Sequence, residues 1–240
     1  MRTHENGKVS RSELADSYDA LFDSPASLRD TDAFYRWALG RLSPRPGSRL
    51  LDVACGEGHL IRFARQRGIE AFGIDFSLNA SLRAQLNVGS PMVGLADGEA
   101  LPFPDGSFDY VMNLGSLEHF LNPLRGVQEV RRLLHHEGQA AFLLPNSYYL
   151  ADIIWHVWRT GYGVSHRQLL ERFATFQEWA DLLEQGGLSV KKASRYNFCF
   201  PRSRDDWRWY AERPQRLLNL LIAPFVPFNL SYSFLYVCTR

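Results

Sequence analysis

The sequence has few of the features that mark disulfide-bonded, secreted or membrane-spanning proteins. It holds three cysteines among 240 residues, and an odd number without a CxxC pair argues against a disulfide framework and for a reducing cytosol. The polar N-terminus MRTHENGKVSRSELADS lacks the apolar core of a signal peptide. The longest apolar run, LLNLLIAPFVPF, is too short to span a bilayer and contains two prolines. We therefore expect a cytoplasmic protein without a transmembrane segment.

The chain also lacks an excess of charge of either sign. Its formal net charge is +1, so no strong field attracts a polyanion such as nucleic acid. Local basic clusters, such as the one from Arg202 to Arg208, are typical of solvated faces. The hydrophobic fraction of 45% is ordinary for a globular protein. A chain of this length fits a single domain that buries most of its apolar surface.

Five apolar runs alternate with helical patterns between Arg49 and Leu144: RLLDV, AFGI, MVGL, DYVMN and AAFLL. They lack the alternation of apolar and polar residues that is typical of a sheet with one solvent-exposed face, which predicts strands covered on both sides. The alternation of strand and helix predicts an α/β fold with a doubly wound, mostly parallel sheet. LSVKKA and SFLYVCT supply two later strands, making seven. Between the fifth strand and these two, Thr175 and Glu178 have the spacing of a capping box.

The predicted organisation is one domain over residues 1–240. Helices packed beside the sheet occupy residues 1–47, and a cofactor-binding core occupies 48–146. Two insertions rich in aromatic residues, 147–170 and 195–231, form a cap. No internal repeat or low-complexity tract is present.

The stretch DVACGEG, Asp52 to Gly58, follows the first predicted strand and is rich in small residues. A dinucleotide-binding loop needs a third glycine three residues after Gly58, where this chain has Ile61. A P-loop ends in Gly-Lys-Ser/Thr, whereas His59 follows the last glycine here. Two interpretations remain: an ordinary tight turn, or a loop for a ligand with an adenosine part and no phosphate.

Acidic residues end the first three predicted strands, at Asp52, Asp75 and just beyond the third at Asp97. A carboxylate such as Asp75 can accept hydrogen bonds from both hydroxyls of a ribose. Phe76 can lie against an adenine face, and Asp97 can accept from an exocyclic amino group. Singly, each Asp is typical of a cap or a turn. Together they converge on the crevice at the carboxyl ends of the strands, where open α/β sheets bind ligands.

These residues resemble the class I S-adenosylmethionine-dependent methyltransferases, especially the type 11 small-molecule group. The matching stretches are LLDVACGEG, GIDFS, ADGEALPFPDGSFDYV, LGSLEHFLNP and EVRRLLHHEGQAAFLLPN, which cover about residues 50 to 146. The resemblance implies a Rossmann-like methyltransferase fold, S-adenosyl-L-methionine as cofactor and methyl transfer as activity. It also implies three groups of cofactor-binding residues: Ala54, Cys55 and Gly56 along the methionine part beside Asp52; Asp75, Phe76, Asp97 and Gly98 around the adenosine; and Asn113 and Leu114 closing the crevice after the fourth strand.

The chain departs from this family at two points. Ala54 stands where the family usually has glycine, and HHEG replaces its usual Pro-Gly-Gly turn. A methyl group can be accommodated at the first position, and the second lies away from the predicted cofactor site.

A general base adds about 10²–10⁴-fold if the acceptor is a hydroxyl. His119, in SLEHF after the fourth strand, is the first candidate, and His166, in GYGVSHRQ, is the second. The alternative for His119 is that it starts a helix together with Glu118 and only shapes the pocket. A metal site would need a third ligand beside this pair, but Gly115 occupies the preceding turn. We therefore predict no metal.

Aromatic residues crowd both cap insertions, among them Tyr148, Tyr149 and Trp155. They predict a small, moderately lipophilic or aromatic acceptor, unless they pack only on one another. NLGS stands after the fourth strand where amino-methylating enzymes of nucleic acids often carry NPPY, so a nucleic-acid substrate is not expected. Three alternatives stay open: a catalytically inactive regulatory module that binds the cofactor, peripheral membrane contact through RDDWRWYAERPQRLLNLL, and any of O, N or C as the acceptor atom. The sequence leaves the oligomeric state unknown.

Overall fold

One seven-stranded sheet organises the chain in a computed structural model that describes residues 9–23, 29–89, 92–163 and 169–240. Each strand overlaps one of the seven apolar runs, so their prediction is confirmed. The strands are β1 (Arg49–Val53), β2 (Glu70–Asp75), β3 (Val93–Leu95), β4 (Phe108–Leu114), β5 (Leu134–Pro145), β6 (Ser189–Tyr196) and β7 (Ser233–Thr239).

Helices connect and cover these strands. They are α1 (Arg11–Asp23), α2 (Asp32–Leu42), α3 (His59–Arg65), α4 (Leu78–Val88), α5 (Pro123–Leu133), α6 (Trp155–Thr160), α7 (Phe176–Gln185), α8 (Arg204–Ala211) and α9 (Pro214–Ile222). The first two lie in the predicted N-terminal helical segment. The capping box of α7 is confirmed, because the Thr175 side chain and Glu178 satisfy each other's backbone N–H groups. No helix among the described residues is long and apolar enough to cross a bilayer. The segment considered for membrane contact forms α8 and α9, and such contact stays a prediction.

The strand order is β3-β2-β1-β4-β5-β7-β6. The first five strands in this order pair in parallel, while β7 runs antiparallel to both β5 and β6. The sheet is therefore mixed but mostly parallel. After β1 the chain moves outward through β2 and β3, then returns to pair β4 with the other edge of β1. This reversal opens a crevice at the carboxyl ends of β1 and β4.

Both faces of the sheet are buried. Leu50 packs in an apolar cluster with residues of α2 and α3, and Leu51 packs in a second cluster with residues of α5 and α7. Because side chains alternate along a strand, both faces of β1 must then be apolar. This accounts for the continuous apolar runs in the sequence and fixes the strand ends that carry the predicted acids.

The cap is anchored to α2 by Asp206 of α8, which is fully buried. Its carboxylate accepts hydrogen bonds from the backbone N–H groups of Ala33, Arg202 and Ser203.

Asp206→Ala leaves these three donors without an acceptor, so we expect the free energy of unfolding to fall by about 3 kcal/mol. Urea unfolding measures this. The neighbouring Asp205→Ala is the matched control and should change stability by less than about 0.5 kcal/mol, because its side chain is 62% exposed. Equal losses in the two variants would contradict the anchoring role.

Candidate active site

A cavity of about 510 Å³ opens at the carboxyl ends of the central strands. This volume is in the range of small-molecule sites. The cavity is lined by nearly all the residues predicted from the sequence: Asp52, Ala54, Cys55, Gly56, Asp75, Phe76, Asp97, Gly98, Leu114 and His119. The topology therefore brings together side chains that are up to 67 positions apart in the chain (119 − 52 = 67).

The loop after β1 is held by its own backbone. The Cys55 N–H donates to the carbonyl of Ile74 in β2 at 2.9 Å, and the Gly58 N–H donates back to the Cys55 carbonyl at 2.9 Å. Gly56 and Gly58 have φ angles of +52° and +77°, which suit glycine. Ala54 has φ +59°, a left-handed conformation that strains a residue with a Cβ. The family's usual glycine at this position has a physical reason, and this chain tolerates the strain.

Asp75 is fixed by two backbone donors. Its Oδ2 accepts from the Gly56 N–H at 2.8 Å, and its Oδ1 accepts from the Ser77 N–H at 2.9 Å. Burial raises the pKa of this carboxyl, and these backbone hydrogen bonds oppose the shift. Each oxygen keeps a second lone pair for a ligand. The bond to Gly56 ties the first loop to the end of β2, a contact that no local sequence signal indicates.

Asp52, the penultimate residue of β1, lies near Asp75 and is also buried. No hydrogen bond to its carboxyl is present among the described residues. Burial, followed by repulsion from Asp75, holds its pKa well above the usual value. A cationic ligand group in the cavity would favour the ionised form of both acids. This wall of the cavity is therefore suited to a ligand that carries positive charge.

Helix α1 covers the end of the cavity near Asp97. Arg11 Nε lies 3.4 Å from Asp97 Oδ2, and Arg11 Nη2 lies 3.5 Å from Glu99 Oε2. Tyr18 and Phe22 of the same helix also line the cavity. The ion pairs add little stability because the Arg11 side chain is 53% exposed. The sequence predicts helices beside the sheet but carries no signal for this cover over the predicted adenine position.

Asn113 lies behind the cavity wall rather than in it. It is buried, and its Oδ1 accepts from the Leu117 N–H at 3.0 Å. It thereby positions the 3₁₀ turn Leu117–His119, which does reach the cavity. A direct contact between Asn113 and the cofactor stays a prediction, whereas Leu114 lines the cavity.

His119 is oriented by the backbone, since its Nδ1 lies 2.6 Å from the carbonyl oxygen of Leu170. A carbonyl only accepts, so Nδ1 carries the proton and the neutral ring has its lone pair on Nε2. Nε2 is 3.8 Å from Oε1 of Glu118. Burial and the nearby Glu171 raise the pKa of Glu118 to about 8, and its Oε2 is buried without a hydrogen-bond partner in the described part of the chain. From the sequence, Glu118 is considered as a helix start and as a metal ligand beside His119, but not as a group that titrates near neutral pH.

The cap contributes some of its aromatic residues to the cavity. Tyr149, from the first insertion, lines it together with Tyr196 at the end of β6 and with Tyr232, which lies just outside the second insertion. Tyr148 and Trp155 are each 55% exposed and lie outside the wall. Asn146 lines the cavity, but its amide already donates to two backbone carbonyls and accepts from the Tyr148 N–H. Asn146 therefore holds the two cap insertions together. His166 lies outside the described residues.

No three His, Cys, Asp or Glu side chains are grouped as metal ligands within the ranges that the structure describes. The absence of a metal stays a prediction, as does a cytoplasmic location.

Comparison with known proteins adds independent information. A family model described as a methyltransferase domain matches residues 51–142. The chain is 31% identical to the 2-phytyl-1,4-naphtoquinone methyltransferase of Trichormus variabilis, over 69% of this chain and 67% of that protein. It is 31% identical to the 27-O-demethylrifamycin SV methyltransferase of Amycolatopsis mediterranei, over 72% of this chain and 65% of that protein.

Among solved structures, the fold is similar to an S-adenosylmethionine-dependent methyltransferase from Mesorhizobium loti. The TM-score is 0.62, with 17% identity, over 87% of this chain and 98% of that one. At this identity the likeness shows the fold alone.

Proposed function

Since this chain belongs to the S-adenosylmethionine-dependent methyltransferases, we propose that it methylates a small, moderately lipophilic or aromatic acceptor by in-line displacement. S-adenosylmethionine, when bound, supplies a methyl group on a positively charged sulfur. The protein contributes mainly alignment of the acceptor atom with that methyl group, which lowers a barrier by roughly 7–11 kcal/mol.

The observation that supports this cofactor in this cavity is the pair of buried acids, Asp52 and Asp75. Asp52 has no hydrogen-bonding partner within the described ranges, and burial disfavours its charged form. A ligand with a sulfonium and an ammonium group would supply the missing positive charge. Asp75 is held so that its free lone pairs can accept from two ribose hydroxyls. Phe76 would lie against the adenine, and Asp97 would accept from its amino group.

The predicted adenine-binding part of the cavity is tightly packed around Gly98. A Cβ added to Gly98 would lie 2.4 Å from the Phe120 ring and 3.3 Å from Val53. A residue with a side chain at position 98 would have to displace the Phe120 ring, which also lines the cavity. We propose that Gly98 is required so that Phe120 can pack against the backbone in this wall of the cavity.

The acceptor class is supported by the walls of the cavity and by the relatives. Phe34, Leu143, Tyr149, Tyr196 and Tyr232 give the cavity apolar and aromatic surface beyond the cofactor loop. The names of the two relatives above refer to a naphthoquinone with a phytyl chain and to a rifamycin. Any of O, N or C can be the acceptor atom in such a cavity.

Tyr149→Ala is expected to raise the KM for the acceptor about tenfold, with little change in kcat, because it removes a buried aromatic wall. Methylation assays across a panel matched in size, from polar to lipophilic acceptors, measure this by product mass. Trp155→Ala is the control, because Trp155 lies outside the cavity and should leave KM unchanged. A preference for highly polar acceptors, with Tyr149→Ala at the wild-type KM, would overturn the proposed acceptor class.

A further inference from the structure

Arg216, in the first turn of α9, lines the same cavity as the cofactor residues. Its guanidinium carbon lies 4.8 Å from the ring centroid of Phe198 and 5.0 Å from that of Tyr232. The two rings are 4.7 Å apart, so the guanidinium packs against an aromatic pair. Phe198 has φ +66°, a strained conformation that the surrounding structure must maintain. The Arg216 head group is therefore held in a defined position.

This half-buried guanidinium has no anionic partner in the part of the chain that the structure describes. No carboxylate lies within 4 Å of Arg216 among the described residues, and its Nη1 is buried without a hydrogen-bond acceptor. The two other arginines of the cavity wall differ in this respect: Arg11 pairs with Asp97, and Arg29 pairs with Asp32. The first turn of α9 also has no acidic residue, so the positive end of the helix adds to the charge of Arg216.

Three acidic groups, Asp30, Asp152 and Glu171, act on this region through their charge, and none of them forms an ion pair with Arg216 among the described residues. Asp30 already accepts from the Thr31 N–H at 2.6 Å and from the Tyr196 hydroxyl at 3.2 Å. Its pKa is raised by burial to about 6, so it is mostly ionised at neutral pH and offsets part of the Arg216 charge. Asp152 also lines the cavity and acts on Tyr149 and Tyr232 through its charge.

Two tyrosines line the cavity near the guanidinium, whose charge acts on both of them. Tyr149 and Tyr232 pack edge to face at 5.1 Å, and neither hydroxyl has a hydrogen-bond partner among the residues described. Burial raises the pKa of Tyr149 to about 12, so this phenol keeps its proton at neutral pH and can donate it. One cation and two tyrosines that carry O–H donors thus line the same aromatic part of the cavity. An ionised planar oxygen pair is the group that this set of donors fits.

We propose that the acceptor is a carboxylic acid with an apolar or aromatic body, and that Arg216 binds its carboxylate. This rests on the proposed function, because it narrows the acceptor class of the same cavity. The aromatic walls hold the body of the acceptor, while Arg216, Tyr149 and Tyr232 hold its acidic end. Arg216 is then a specificity-determining residue that orients the acceptor and takes no part in methyl transfer.

Calorimetric titration with S-adenosylhomocysteine present tests this with hydroxynaphthoic and hydroxybenzoic acids, each against its primary carboxamide. The carboxamide has the same shape without the charge. We expect the wild type to bind at least one acid about tenfold to a hundredfold more tightly than its amide. R216M should abolish this preference, and R216K should restore part of it, because lysine keeps the charge without the planar fork.

R213M is the matched control. Arg213 belongs to the same segment, packs over the Trp209 ring at 4.7 Å and pairs with Glu212, but it does not line the cavity. R213M should keep the preference for acids, and both variants should bind S-adenosylhomocysteine as the wild type does. Equal binding of every acid and its amide by the wild type, or an undiminished preference in R216M, would overturn the proposal. The proposed function would fail in a different way. In that case the wild type would prefer polar acceptors over lipophilic ones among the uncharged compounds.

Discussion

Asp75→Ala is expected to weaken S-adenosylmethionine binding by roughly 10²–10⁴-fold. Each charged hydrogen bond from a ribose hydroxyl contributes about 1.5–3 kcal/mol, and the variant loses two of them. It also removes the acceptor that holds the Gly56 N–H at 2.8 Å, so the loop that would line the methionine part loses its tie to β2. Titration calorimetry with the cofactor measures the change directly.

Asp109→Ala is the control for this variant. Asp109 lies in β4, where its Oδ2 accepts from the Arg49 N–H at 2.9 Å, and it does not line the cavity. We expect this variant to bind the cofactor as the wild type does. Asp75→Asn keeps one acceptor oxygen but no charge and should lie between Asp75→Ala and the wild type. Wild-type affinity in Asp75→Ala, or tight binding of NADH by the wild type, would show that Asp75 does not hold this ribose.

The fold could be predicted from the sequence because its signals are local. The run that forms β1 is apolar at consecutive positions, Leu50 and Leu51, and each position faces a different covered side of the sheet. The acids Asp52, Asp75 and Asp97 follow from the same pattern, since strand ends of a parallel sheet meet at one edge. The antiparallel placement of β7 between β5 and β6 is different, because it is set by packing between distant segments.

The parts of the site that sequence analysis missed depend on side-chain direction or on distant contacts. Asn113 and Leu114 are neighbours in β4, and alternation along the strand places Leu114 at the cavity and Asn113 behind it. Tyr148 and Tyr149 lie after the end of β5, outside any strand, and only Tyr149 lines the cavity. Arg11 meets Asp97 across 86 positions (97 − 11 = 86), and no local pattern encodes such a pair.

His119→Ala is expected to lower kcat about 10²–10⁴-fold for a hydroxyl acceptor, with little change in cofactor affinity. The proposed role is general base: the Leu170 carbonyl holds the proton on Nδ1, so Nε2 can take the acceptor proton as the methyl group is transferred. The wild-type rate should fall as the pH is lowered, because a protonated imidazole has no lone pair. Single-turnover rates with enzyme in excess separate this step from product release.

Glu118→Gln tests whether the charge of Glu118 supports the proposed role of His119 as a general base. Ionised Glu118 would stabilise the imidazolium that forms on His119, since its Oε1 lies 3.8 Å from Nε2. Burial raises the pKa of Glu118 from the usual 4.5 to about 8, so this carboxyl is neutral below that pH and charged above it. The wild-type rate should therefore rise further as the pH passes 8, and Glu118→Gln should lose this rise while keeping the fall at low pH.

A near-normal kcat in His119→Ala would show instead that the enzyme works by alignment alone and that the histidine only shapes the cavity.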